Sequence, residues 1–274
     1  MDQDRTGSDR SASDRSGSDR TASDRSGSDR SGQERRALRR ERLLATATDL
    51  FTTRGYPATS IERICATAHV SIRAFYEEFE GREALLIALH NDVARAGMEA
   101  ALTVLSDPGM ESAGARSRIT ALTRSYLDAV TAEPAATRIA FVEVIGAGRA
   151  VEEHRLLWRS LWSDFLSGEA ERAVERGESA PRDYSLAIVA LIGAINELVA
   201  HWARDATAFS RELLADELVH HALATLGIPA EDVPVTDIAA DGTPVGGTPP
   251  DATSTDATPA DATSTDATLT DEGK

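Results

Sequence analysis

Between about residue 36 and residue 226, apolar positions recur three and four apart, while strand-like alternation is scarce. A period of this kind predicts amphipathic helices. Turn residues interrupt it at Gly55-Tyr56-Pro57, Asp107-Pro108-Gly109, Pro134, Gly146, Gly177 and Pro181. The pattern then reads as short helices near 36–53, 60–68 and 71–78, and longer ones near 82–105, 112–131, 135–146, 149–177, 183–205 and 210–226. The expected fold class is all-α, a three-helix head joined near residue 82 to a bundle of longer helices. Within the head, Ile61, Ile64, Cys65 and Ala68 share one face, and Thr59 followed by Glu62 fits a capping box. Ser71 is placed to cap the next helix, and Phe75 and Phe79 to pack back on the first. Two short helices joined by a turn make a helix-turn-helix, whose second helix fits the DNA major groove.

Composition sets the limits of the folded part. Residues 1–32 repeat units such as DRSGS, and residues 228–274 repeat DATSTDATPA and DATSTDATLT. Neither stretch offers an apolar face, so both read as disordered, the second as an acidic tail. That leaves a head at 33–82 and a helical domain at 83–227, enough chain for a core without staples.

The net charge of -16 is unevenly spread. Residues 33–82 hold 9 Arg against 7 acids and are the one positive segment, with Arg35, Arg36, Arg39, Arg40 and Arg42 crowded together. Charges farther off than about 8 Å are largely screened at physiological salt, so the acidic tail does not veto a local cationic surface.

One cysteine, Cys65, excludes an intramolecular disulfide and reads as a small buried residue. No apolar leader is visible, and the stretch SLAIVALIGAI is too short for a bilayer. These features predict a cytoplasmic protein without a membrane partner. Hydrolase, phosphate-loop and metalloprotease signatures are missing, and His220 and His221 point to different helix faces. No enzyme activity, cofactor or metal is expected.

The residues ERLLATATDLFTTRGYPA followed by TSIERICATAHVSIRAFYEEFEGREALL resemble the TetR family of bacterial transcriptional regulators, over about residues 37–97. The resemblance implies binding to double-stranded operator DNA, with Ser60, Tyr76 and Arg82 at phosphates and Ile72, Arg73 and Tyr76 near base edges. Arg35 and Arg39 are expected at the backbone, and Thr59 and Ser71 complete the expected interface. Ile72 shares a face with Phe75 and Phe79, so a core role competes with a reading role. His69 stands where the family commonly has a turn glycine, which asks a non-glycine residue for positive φ. Glu77 and Glu78 replace neutral or basic groups; they either weaken phosphate attraction, accept from a cytosine amine, or face away from DNA.

The same resemblance implies a homodimer through the last two long helices, whose small residues Ala187, Ala190, Gly193, Ala194 and Ala215 permit close contact, and hence a palindromic operator. It also implies an effector cavity in the middle helices. Tyr126, Phe141, Trp158, Trp162 and Asn196 are its expected residues, with Glu143, His154, Glu197 and His201 as further polar candidates. The stripe Leu157, Trp158, Leu161, Trp162 and Phe165 reads either as core or as cavity wall. The function expected is a dimeric repressor released by an unidentified small molecule. The alternative is a protein-binding adaptor whose glutamates after Tyr76 mark lost DNA affinity.

Overall fold

The computed structural model describes residues 17–228, with side chains from Gly32 onward; the rest of the arm and tail lie outside the described residues. Ten α-helices follow in order: α1 Gly17–Arg54, α2 Ile61–Ala68, α3 Ile72–Tyr76, α4 Arg82–Leu105, α5 Pro108–Ser112, α6 Ala115–Val130, α7 Pro134–Arg138, α8 Arg149–Glu175, α9 Ser185–Arg204 and α10 Arg211–Thr225. A π-helical turn, Ile139–Glu143, continues α7. The described residues contain no strand. The backbone of α1 begins at Gly17, so the helix runs back into the repeat rather than starting near residue 36.

The head packs as its pattern requires. Leu43, Ala47 and Phe51 of α1 meet Ile64, Cys65 and Ala68 of α2, and Phe75 and Phe79 close the core from below. The same cluster takes in Leu85 and Leu86 of α4, Ile139, Val144 and Val151. The boundary expected at residue 82 therefore cuts through a continuous core, because α4 buries its first turns beneath the head. The helix 2 cap is also one residue later than the sequence suggests. Ser60 accepts from the Arg63 amide, whereas Thr59 is fully buried with its hydroxyl donating to Gly55 O. Ser71 caps α3 through the Ala74 amide, and His69 holds φ 53°, ending α2 in the left-handed region.

In the body, α4 lies against α6 with Gly97 at the closest approach: a Cβ there would sit 2.8 Å from atoms of Tyr126 and Val130. The stripe on α8 divides. Trp162 and Phe165 pack inward, while Leu157 and Leu161 are exposed. A buried ion pair joins α6 to α8, Arg118 donating to both oxygens of Glu169 at 2.9 and 2.7 Å. Taken whole, α9 is long and apolar enough to cross a membrane, which the eleven-residue stretch read from the sequence understated. One of its faces packs on α8 and α10, the other is open.

Replacing Gly97 with Ala adds helix propensity of about 1 kcal/mol but drives a methyl into the Tyr126 ring, an overpacking cost of about 1–3 kcal/mol. Urea unfolding followed by circular dichroism is expected to show a net loss of stability.

Candidate nucleic-acid interface and ligand cavity

Helix α3 is short, and its exposed side carries the groups expected to read a groove. Arg73 extends into solvent with 91% of its side chain accessible, Tyr76 is 55% and Ile72 47% exposed. Phe75, on the opposite side, is fully buried and holds the helix down. The competition over Ile72 thus resolves toward an outward position. The Arg73 guanidinium touches Glu77 at 3.5 Å, an exposed contact of at most ~1 kcal/mol that a base edge can replace. Ser60 and Ser71, both exposed, stand at the amino ends of α2 and α3.

The glutamates after Tyr76 behave differently from one another. Glu78 has only 3% of its side chain exposed and lies under α1, taking hydrogen bonds from Arg36 Nε at 3.1 Å and Arg39 Nη2 at 2.6 Å. Arg36 also donates to Glu77 O and Arg40 to Glu78 O, with the Arg40 guanidinium stacked 4.4 Å above the Phe79 ring. Burial alone would raise the Glu78 carboxyl, but the hydrogen bonds and charges of the two arginines outweigh it and hold it below the ordinary carboxylate value.

Three expected contact residues are corrected by this geometry. Arg39 clamps α1 to the end of α3, since Glu78 comes within its reach only in the folded head. Thr59 is sealed inside, its hydroxyl satisfied by backbone carbonyls. Arg82 donates to Tyr56 O and Thr59 O at 3.1 and 2.6 Å and lies 4.2 Å over the Tyr56 ring, so its guanidinium is engaged within the head. Arg35 remains exposed on α1. Arg63 on α2 is exposed as well, a candidate the sequence pattern missed although it lies on the polar face.

Residues 43–89 match the family model described as bacterial regulatory proteins, tetR family. The helix-turn-helix head is therefore similar to that of tetR-family regulators. The rest of the fold agrees. A bacterial regulatory protein in the tetR family from Rhodococcus RHA1 is 20% identical, covering 70% of this chain and 98% of its own, with a TM-score of 0.55. FadR from Bacillus subtilis, in complex with stearoyl-CoA, is 14% identical over 68% and 98%, at 0.58. AibR, in complex with isovaleryl coenzyme A and operator DNA, is 23% identical over 66% and 96%, at 0.53. No match is found among curated protein sequences.

The residues expected at a cavity lie together in the body of the fold. Tyr126, Phe141, Trp158, Trp162 and Asn196 line one chamber together with His90, Arg155 and Arg159. Tyr126, Trp162 and Asn196 also border a second, more apolar chamber with Leu122, Phe165, Ile192 and Leu218. The two are small, about 50 and 60 Å³. Burial pushes the Tyr126 phenol up, so it stays a neutral donor. Of the other polar candidates, His154 packs edge-on against His90, Glu197 pairs with Arg204 and His201 stacks on Phe209. Glu143 serves elsewhere: its carboxylate accepts the Tyr56 amide at 2.8 Å, fastening the α1–α2 loop to the π-helical turn.

The Glu78 carboxyl titrates below its unfolded value, so its contribution is complete above about pH 4.5 and is lost as pH falls through the folded value. Glu78→Gln is expected to cost about 1–3 kcal/mol and to flatten the acid limb of the thermal stability profile between pH 5 and pH 3. An unchanged profile, read by differential scanning fluorimetry, would count against the clamp.

Proposed function

We propose that the protein is a dimeric, sequence-specific DNA-binding repressor that a small-molecule effector releases from a palindromic operator in the cytoplasm. The observation that carries this reading is the outward edge of α3. Ile72, Arg73 and Tyr76 project side by side from a short helix whose acidic neighbour Glu78 is already neutralised. Arg73 suits a bidentate contact to guanine, and Ile72 a thymine methyl. The buried role of Glu78 also removes the main support for an adaptor that has lost DNA affinity, since that glutamate braces the head instead of repelling a phosphate.

A homodimer is supported by the open face of α9. Leu186, Val189, Ala190 and Gly193 fall at i, i+3, i+4 and i+7 and are all exposed, Leu186 at 83%, with Leu213 of α10 also exposed. Such a stripe suits a second copy of the same helix pair, which would set two α3 helices about 34–36 Å apart, one DNA turn. Ala215, expected at that surface, packs inside its own chain.

The cavity supports effector control. Ligand pockets occupy about 300–1,000 Å³, far more than the chambers here, so a ligand must part the aromatic side chains that fill them. Phe141 and Glu143 belong to the same π-helical turn and, two residues apart, face roughly opposite sides of it. Displacing Phe141 therefore strains the hold of Glu143 on the head. Effector binding shifts the equilibrium only by its differential affinity for the open and closed states. Two of the similar proteins are described with acyl-CoA compounds, which makes an acylated molecule one chemical class to test.

Selection of bound genomic fragments is expected to return a palindrome. In fluorescence anisotropy, Arg73→Ala should relax preference at one position per half-site by about 1–3 kcal/mol, while Arg35→Ala should lower affinity evenly and reduce the salt slope by about one. Equal effects of the two would remove the distinction drawn between them. Replacing both Leu186 and Val189 with Glu is expected to yield monomers by sedimentation velocity and to weaken operator binding; retained dimers would place the interface elsewhere.

A further inference from the structure

The cavity is electrically one-sided. Its two chambers together are lined by Arg155, Arg159 and His90 and by no acidic residue. Arg155 is engaged by Glu152 at 2.6 Å, but Arg159 has no acidic partner among the described residues. His90 is 8% exposed, lines the chamber, and has no hydrogen-bond partner for its Nδ1; the adjoining His154 likewise leaves Nε2 unpartnered. A buried polar atom left without a partner is unfavourable, so a ligand that hydrogen-bonds to it gains on that account. Burial first, then His154 and Arg155, pushes His90 down to about 4, which keeps its ring neutral and the chamber short of one further positive charge. The second chamber supplies the opposite character: Leu122, Phe165, Leu166, Ile192, Ile195 and Leu218 surround it, with Thr123, Tyr126 and Asn196 as its polar members.

We propose that the effector is a compact carboxylate on an apolar body, its head held by Arg159 and His90 and its body replacing the contacts among Trp162, Phe165 and Ile192. A carboxylate accepts from a guanidinium and an imidazole at once, whereas an ammonium is repelled by the guanidinium and gains at most one hydrogen bond, to the acceptor nitrogen of the neutral imidazole. A neutral alcohol gains the apolar burial alone. The inference rests on the reading of this cavity as the effector site, but it does not require that the protein bind DNA.

The test uses the full chain without DNA and follows its tryptophan emission, with Trp202→Phe as the background that leaves Trp158 and Trp162 as the reporters. Decanoate, decanol, decylamine and decanoyl-CoA are titrated in parallel. Decanoate is expected to give a saturable change, with decanol and decylamine at least tenfold weaker. Arg159→Gln, checked for fold by circular dichroism, should weaken decanoate at least tenfold and leave decanol unchanged, and His90→Phe should act in the same sense. The assignment is overturned if decanol or decylamine binds as tightly as decanoate, if Arg159→Gln leaves decanoate binding intact, if only the CoA ester binds, or if none of the four does. A chain that takes decanoate yet ignores every operator fragment would uphold the carboxylate site and sink the repressor reading.

Discussion

Over the apolar core of the head, one carboxylate beneath one helix ties α1 to the chain that ends α3. Glu78 sits under α1, and Arg36 and Arg39 close over it. Without that charge, two guanidinium groups would be left facing the same small space. With it, α1 and the end of α3 are locked in register, and the outer side of α3 is turned toward solvent. The arginine-rich stretch thus divides by position: Arg36, Arg39 and Arg40 are structural, and the charges left for a polyanion are those at its margins. The acids nearest the exposed edge of α3 are already paired with arginines, although the chain is net negative.

The path from cavity to head follows from the same economy of contacts. Helix α4 carries His90 at the chamber and Leu85 and Leu86 in the head core. The π-helical turn carries Phe141 at the chamber and Glu143 at the α1–α2 loop. Both routes are single rigid elements with one end in each place. π-helical turns concentrate at functional sites, and this one touches both places within five residues.

Much of this was legible beforehand. Helix positions, the Ser71 cap, the strained turn at His69 and the core role of Phe75 all follow from local rules: apolar period, cap chemistry and φ preference. What failed is what depends on distance in space. Nothing in the sequence says that Glu78 will meet residues 39 and 42 positions earlier, so Arg39 looked free. Thr59 and Ser60 are both able to cap, and only the burial of the first decides between them. Arg82 was placed by resemblance, yet its reach to two carbonyls of the preceding loop appears only when that loop folds beneath it. On α8, the apolar period identified a face without saying how much of it the same chain would cover, and Leu157 and Leu161 remain open.

Gly97 gives α4 a fulcrum. With no side chain projecting, the helix backbone rests on Tyr126 and Val130 at a point about 22 Å from Arg82, taking 15 residues at about 1.5 Å each. A rotation of one degree about that rest carries the head end by roughly 0.4 Å, so a tilt of a few degrees at the closest contact becomes a displacement of more than an ångström at the first turn of α4.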